Sequence, residues 1–221
     1  MSRLTSTPWD AAAFGLPTYE LADASAEALL EAVCTPGHHT VRVDPLATKQ
    51  LLHEHGFYYC DTLIEPYCVP EKLKAQTHSD ATIGKNILPQ ELRDLYHDTF
   101  VYDRFHRDFN LDPVRADARY GAFLVKSLDE QCVYGLFWRN ELAGFISFSG
   151  NRFLLHAVAE SHRGQGLAKY WWSAACLALF DMGCTEVKSS ISASNVAALN
   201  LYASLGFGFR NPQDSYHRLG I

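Results

Sequence analysis

The chain has 221 residues, 48% of them hydrophobic and 20% charged, with a formal charge of −6 at pH 7. That length allows one large domain or two small ones sharing a core. The acidic balance excludes a broad basic surface for nucleic acid, so an anionic ligand has to be met by local clusters and backbone amides.

In chain order, the opening MSRLTSTPWD carries no apolar signal core, and no stretch approaches the roughly eighteen apolar residues of a membrane span. The six cysteines (Cys34, Cys60, Cys68, Cys132, Cys176 and Cys184) show neither CxxC pairing nor metal-ligand spacing. A reduced cytoplasmic protein is expected, with no metal, no nucleic-acid partner and no membrane contact. His38-His39 and His53-x-His55 read as surface residues; positions 53 and 55 of a helix point apart, which argues against a metal site. Leu51 to Phe57 reads as a short helix stopped by Gly56 and followed by a strand. The polar stretch Glu71 to Lys85, with Pro70 before it and Pro89 after it, reads as a connector. It separates residues 1–80, a small N-terminal α/β subdomain, from residues 86–221.

Gln131 to Trp138 is a strand-like apolar run, Arg139-Asn140-Glu141 a polar turn and Leu142 to Phe148 a returning strand, together a hairpin. Phe153 to Ala159 forms a third strand. From Leu167 the residues Trp171, Ala174, Ala175, Ala178 and Met182 keep helical spacing until Gly183. Trp171 and Trp172 are adjacent and are not expected to face one core together, which leaves room for a homodimer. Thr185 to Ser192 is another strand, and Asn195 caps a helix over Val196 to Leu205 that Gly206 ends. That last helix echoes residues 51–57. Phe207 to Arg210 and Ser215 to Leu219 close the chain as two short strands, giving a mixed α/β sheet flanked by helices.

Between the third strand and the long helix lies Ser161-His162-Arg163-Gly164-Gln165-Gly166-Leu167-Ala168. A strand, a glycine turn and a helix start gather unpaired amides and the positive end of a helix dipole at one point, which suits phosphate. A dinucleotide fingerprint needs a third glycine where Lys169 stands, and a P-loop needs GKS or GKT, which is absent. Arg163-Gly164-Gln165-Gly166-Leu167-Ala168 resembles the R/Q-x-x-G-x-G/A acyl-CoA signature of the GNAT N-acetyltransferase superfamily. Asn195-x-x-Ala198-x-x-x-Tyr202-x-x-x-Gly206-Phe207 resembles its second signature, in order and spacing.

The resemblance implies a mostly antiparallel GNAT sheet over 86–221, with acetyl-CoA (coenzyme A) as cosubstrate. It implies that backbone amides from about His162 to Ala168, including those of Arg163, Gly164, Gln165, Gly166 and Leu167, cradle the pyrophosphate. It also implies that the strand ending at Val158 splays from its neighbour, that the Val158 amide meets the thioester carbonyl, and that Asn195 touches the pantetheine arm. Tyr202 is the implied general acid for the leaving thiolate. The family often has proline two residues after that valine, where this chain has Glu160. In the register of the internal echo, Leu52 and Pro45 stand for Tyr202 and Asn195, so one coenzyme site is expected. His156 and Glu160, on one face if alternation holds, are candidate bases for the amine, directly or through water.

For the acceptor, Phe100-x-x-x-Arg104-Phe105-His106 to Asp112, the segment Ala118 to Leu128 leading into Cys132, and the opening Trp9-Asp10-x-x-x-Phe14-Gly15 resemble the TDP-fucosamine acetyltransferases. That implies a small-molecule amine on a nucleotide sugar. Arg104 and Arg107, three apart, would face one way on a helical turn beside His106 and meet a diphosphate. Asp103, Asp108, Asp112 and Asp117 offset Arg104, Arg107, Arg115 and Arg119, so a solvated charge-mixed loop fits the region as well. An amino acid, peptide or protein N-terminus as acceptor, and a non-catalytic acyl-CoA-binding module, stay open.

Overall fold

A computed structural model describes residues 2–96 and 99–220. The N-terminal portion runs β1 (Leu4–Ser6), α1 (Pro8–Phe14), β2 (Thr18–Leu21), α2 (Ala26–Cys34), β3 (Gly37–Val43), α3 (Gln50–Glu54) and β4 (Tyr58–Cys68). β5 (Ala81–Gly84), α4 (Pro89–Tyr96) and α5 (Pro113–Asp129) follow. Then come β6 (Val133–Trp138), β7 (Glu141–Ser149), β8 (Arg152–Val158), α6 (Ala168–Asp181), β9 (Val187–Lys188), β10 (Ile191–Ser192), α7 (Val196–Ser204) and β11 (Gly208–Gly220). Polar caps fix several helix starts: the side chains of Ser25, Asp112 and Asn195 accept from the amides of Ala28, Val114 and Ala198.

All the described strands join one mixed sheet in the order β1-β2-β3-β11-β4-β9-β8-β7-β6-β5, with β10 on β4. Only β2 with β3 and β8 with β9 run parallel, so the sheet is mostly antiparallel and flanked by helices, as expected. The two closing strands expected from the sequence are one: β11 runs unbroken between β3 and β4, with an irregularity between Arg210 and Gln213. Asn211 there takes φ of +51°, a bulge that local pattern reads as a gap. The expected connector at 71–85 likewise contains β5, which pairs with β6 at the sheet edge. Both copies of the internal echo fold as helix, glycine and strand, and their strands β4 and β11 are neighbours.

The larger core lies between the sheet and helices α6 and α7, around Trp171, Tyr202, Phe153, Ile146 and Leu136. The expectation for the tryptophan pair is overturned, because Trp171 and Trp172 are both buried in it. Adjacent helix positions stand about 100° apart, and α6 is covered over an arc wide enough for both. Trp171 Nε1 also donates to the Phe137 carbonyl at 2.9 Å. A second core packs α2 on β3 and β11 through Leu29, Val41, Leu52 and Phe57. No helix among the described residues is long and apolar enough to cross a membrane.

Candidate active site

After β8 the chain makes a single 3-10 turn at Glu160–His162 and then two left-handed bends, Gly164 at φ +72° and Gly166 at φ +69°. A Cβ added at either glycine would meet nothing within 4 Å, so glycine is required for backbone sign and the bend faces open space. α6 then starts without a side-chain cap. The amides of Gly164, Gln165, Gly166, Leu167 and Ala168 have no hydrogen-bond acceptor among the described residues. The side chains of the motif brace the loop: Arg163 Nε donates to the Val158 carbonyl at 2.7 Å and its Nη2 to Thr99 Oγ1 at 3.1 Å, and Gln165 Nε2 donates to the Ser161 carbonyl at 2.7 Å.

β8 meets β9 at Arg152 opposite Lys188 and then leaves it. The amides of Leu155 and Ala159 are turned toward β7, where they donate to Ser147 Oγ and the Ala143 carbonyl. Strand alternation therefore turns the amides of His156 and Val158 the other way, into the opening. The opening is part of a cleft of about 1630 Å³, which continues past Trp172, Ile191 and Asn195 to Asp61 and Glu65 on β4 and to the loop 99–104.

Tyr202 is fully buried, and its hydroxyl is joined to His156 Nε2 by a 3.3 Å hydrogen bond. Burial raises the phenol well above its usual pKa and pushes the His156 imidazole down to about 4, so both groups are neutral at pH 7. His156 and Trp172 line the cleft, with Tyr202 behind them and the imidazole set edge-on to Trp172 at 5.0 Å. Asn195 lines the cleft while capping α7 through Ala198. His156 and Glu160 are not brought together. β8 stops at Val158, alternation ends with it, and Glu160 sits exposed in the 3-10 turn, off the cleft wall.

The three residues expected at the acceptor are also separated. Arg104 lines the cleft. His106 is held by Asp103 at Nδ1 and by Asp117 at Nε2, 3.2 Å away, and stacks on Tyr120. Its burial works against the charged ring, but those carboxylates outweigh burial and raise its pKa. Arg107 Nη1 donates to Asp61 Oδ1 at 2.9 Å and to Ser194 Oγ at 3.2 Å. Neither His106 nor Arg107 lines the cleft. The segment is a turn rather than a helix, with Asp103 Oδ1 accepting from the Phe105 amide, so Arg104 and Arg107 part.

His38 and His39 are not on the surface: both are buried, because β11 and β2 enclose β3. His38 Nε2 and His217 Nδ1 each donate to Asp108 Oδ2 at 2.8 Å, and the Tyr58 hydroxyl donates to Asp108 Oδ1 at 2.9 Å. Burial opposes the Asp108 charge, but these donors hold its carboxyl well below the usual range. It is therefore no solvated partner for the nearby arginines.

Asp61 was not singled out from the sequence. It is fully buried on the cleft wall, with Oδ1 held by Ser192 Oγ at 2.7 Å and by Arg107. Burial raises its pKa, against Ser192 and Arg107. A carboxylate inside an eleven-residue strand is the available signal, since such residues are rarely buried without a reason. Nearby, Glu65 takes hydrogen bonds from Arg152 and Arg210, which outweigh burial and lower its pKa.

Residues 90–207, just over half of the chain, match the sequence profile of the Acetyltransferase (GNAT) family. No curated protein matches the sequence. A GCN5-related N-acetyltransferase from Sphaerobacter thermophilus superimposes with a TM-score of 0.57 at 13% identity, over 83% of this chain and 61% of that one. A conserved protein of unknown function from Staphylococcus epidermidis superimposes with a TM-score of 0.64 at 14% identity, over 100% of this chain and 92% of that one. A GCN5-related N-acetyltransferase from Kribbella flavida gives 0.59 at 14%, over 93% and 82%. At these identities the likeness is one of fold.

Proposed function

Because the chain belongs to the GNAT acetyltransferase family, we propose that it transfers an acetyl group from acetyl-coenzyme A to a primary amine. One observation carries the reading: unpartnered amides at the bare start of α6 adjoin a pair of strands that separate at the same cleft. Those amides suit a diphosphate by number and by the helix dipole, and the space in front of both glycines leaves room for it. Bound there, acetyl-coenzyme A supplies an activated acyl carbon.

The chain's own groups then have assignable tasks. The Val158 amide, turned into the opening, donates to the carbonyl oxygen as it gains charge; a donor of this kind is worth about 3 kcal/mol. Tyr202 keeps its proton at neutral pH because it is buried, and it stands behind His156, so it serves a leaving thiolate only through that imidazole. His156 holds that hydroxyl from the cleft side, and Asn195 shapes the wall beside it. His156 is held too far toward the neutral form to keep an ammonium proton itself, so that proton leaves through water in the cleft.

The acceptor class we propose is a nucleotide-linked amino sugar. Its support is the resemblance carried by residues 9–15 and 100–132 and the placement of Arg104 on the cleft. Residues 1–80 act as the acceptor wall, contributing Arg42, Asp44, Asp61 and Leu63 to it, while 86–221 carry the coenzyme side. Six free thiols suit a reduced, cytoplasmic setting.

Calorimetry with acetyl-coenzyme A, followed by a free-thiol assay with a panel of primary amines and amino-sugar nucleotides, tests the reading. Binding is expected in the wild type and lost in Gly166→Trp, whose indole would fill the space before α6. Failure of the wild type to bind the coenzyme, or undiminished binding by the variant, refutes the reading.

A further inference from the structure

Three arginines meet at the acceptor end of the cleft: Arg42 on β3, Arg104 in the loop before α5, and Arg119 on α5. Arg42 pairs with Glu20 at 3.3 Å, and Arg119 pairs with Asp10. Arg104 has no such partner. Its Nε is closed off from solvent without an acceptor, and no carboxylate among the described residues lies within ion-pair reach of it. The guanidinium lies over the Phe105 ring at 4.5 Å, and Arg119 lies over the same ring at 4.4 Å.

Stacking accounts for where Arg104 lies but not for its charge. Arg42 and Arg119 each have a carboxylate, whereas Arg104 has none of its own in a partly desolvated place. Arginine cannot escape by releasing its proton. Burial first, and then Arg42 and Arg119, disfavour the charged form. The nearby acids are already taken: Asp103 by His106, Asp61 by Ser192 and Arg107, and Glu20 by Arg42. A forked cation facing a cleft in that condition is matched to a planar or tetrahedral oxyanion.

We propose that Arg104, flanked by Arg42 and Arg119, anchors an anionic oxygen group, carboxylate or phosphoryl, that the acceptor carries on the same molecule as its amine. Calling the bound molecule an acceptor rests on the transferase reading above; the anion site does not. It is built from β3, α5 and the loop between α4 and α5, and shares no residue with the amides at the start of α6. It predicts that plain alkylamines are poor acceptors and that amines bearing a carboxylate or a phosphate ester are good ones.

The test is calorimetric titration of coenzyme-A-saturated protein with inorganic pyrophosphate, phosphate and acetate, saturation having filled the first anion site. At least one of the three binds the wild type, and its affinity falls at least about tenfold in Arg104→Met or Arg104→Gln. The melting temperature of those variants stays level or rises, because a guanidinium without a carboxylate partner has been removed. Preference for pyrophosphate or phosphate identifies a phosphoryl-bearing acceptor, and preference for acetate a carboxylate. Absence of binding by all three, binding that survives both substitutions, or loss of the folded state in both overturns the proposal. Should coenzyme A itself fail to bind, the transferase reading falls alone, and the same titrations on Gly166→Trp still decide the anion site.

Discussion

Acid should unfold this protein well above the carboxylate range, and His39 is the place to measure why. His39 is fully buried on β3, stacked on Tyr19 at 5.3 Å, and neither ring nitrogen has a partner among the described residues. Burial, reinforced by Arg218 and His38, pushes its pKa from 6.5 to about 4. The unfolded chain therefore binds a proton near pH 6.5 that the folded chain refuses until about pH 4. Stability is fully present above pH 6.5 and drains away as the pH falls through that window. At pH 5 the loss from this one ring is about 2 kcal/mol. His156 and His217 are depressed to about 4 by burial as well, so a comparable loss from each would consume much of an ordinary domain's stability. His39→Phe keeps the stacking and removes the titration. Urea unfolding at pH 7 and pH 5 should show the variant near wild type at the first and about 2 kcal/mol more stable relative to it at the second. An equal difference at both values would mean that His39 is already protonated or hydrated in the fold, and the argument would fail.

On the proposed role of its hydroxyl, Tyr202→Phe should lower kcat by about a hundredfold or more while acetyl-coenzyme A affinity is kept; unchanged turnover in stopped-assay kinetics would remove the phenol from the chemistry. Arg107→Ala should cost roughly 1–3 kcal/mol at pH 7, discounted because Arg107 is one-third exposed, as Asp61 would keep Ser192 alone. Asp61 has a raised pKa, so that cost should shrink as the pH falls and the carboxyl protonates. Thermal melts in which the cost grows toward acid pH would contradict this assignment.

The site divides by how local its causes are. Asn195, α7 and Gly206 were legible because a cap, a helix and a stop lie within twelve residues, and the two glycines before α6 because their backbone sign is local. His38 and His39 were misplaced because their burial depends on β11 lying beside β3, a pairing between residues such as His39 and Arg218. No pattern near position 38 reports it. Arg104 and Arg107 were joined by assuming a helix where Asp103 instead closes a turn. Asp61 left a faint mark, a carboxylate in a strand, but the Ser192 that explains it arrives from β10 across the sheet.

The position of β11 governs how the chain can assemble. Until that strand arrives, β3 and β4 present two bare edges toward each other, and their completing partner lies well over a hundred residues farther along. Such remote closure makes acquisition of the native state slow and leaves sticky intermediates exposed in the meantime. Once inserted, the strand acts as a keystone between β3 and β4, the two strands that carry Arg42 and Asp61 to the cleft.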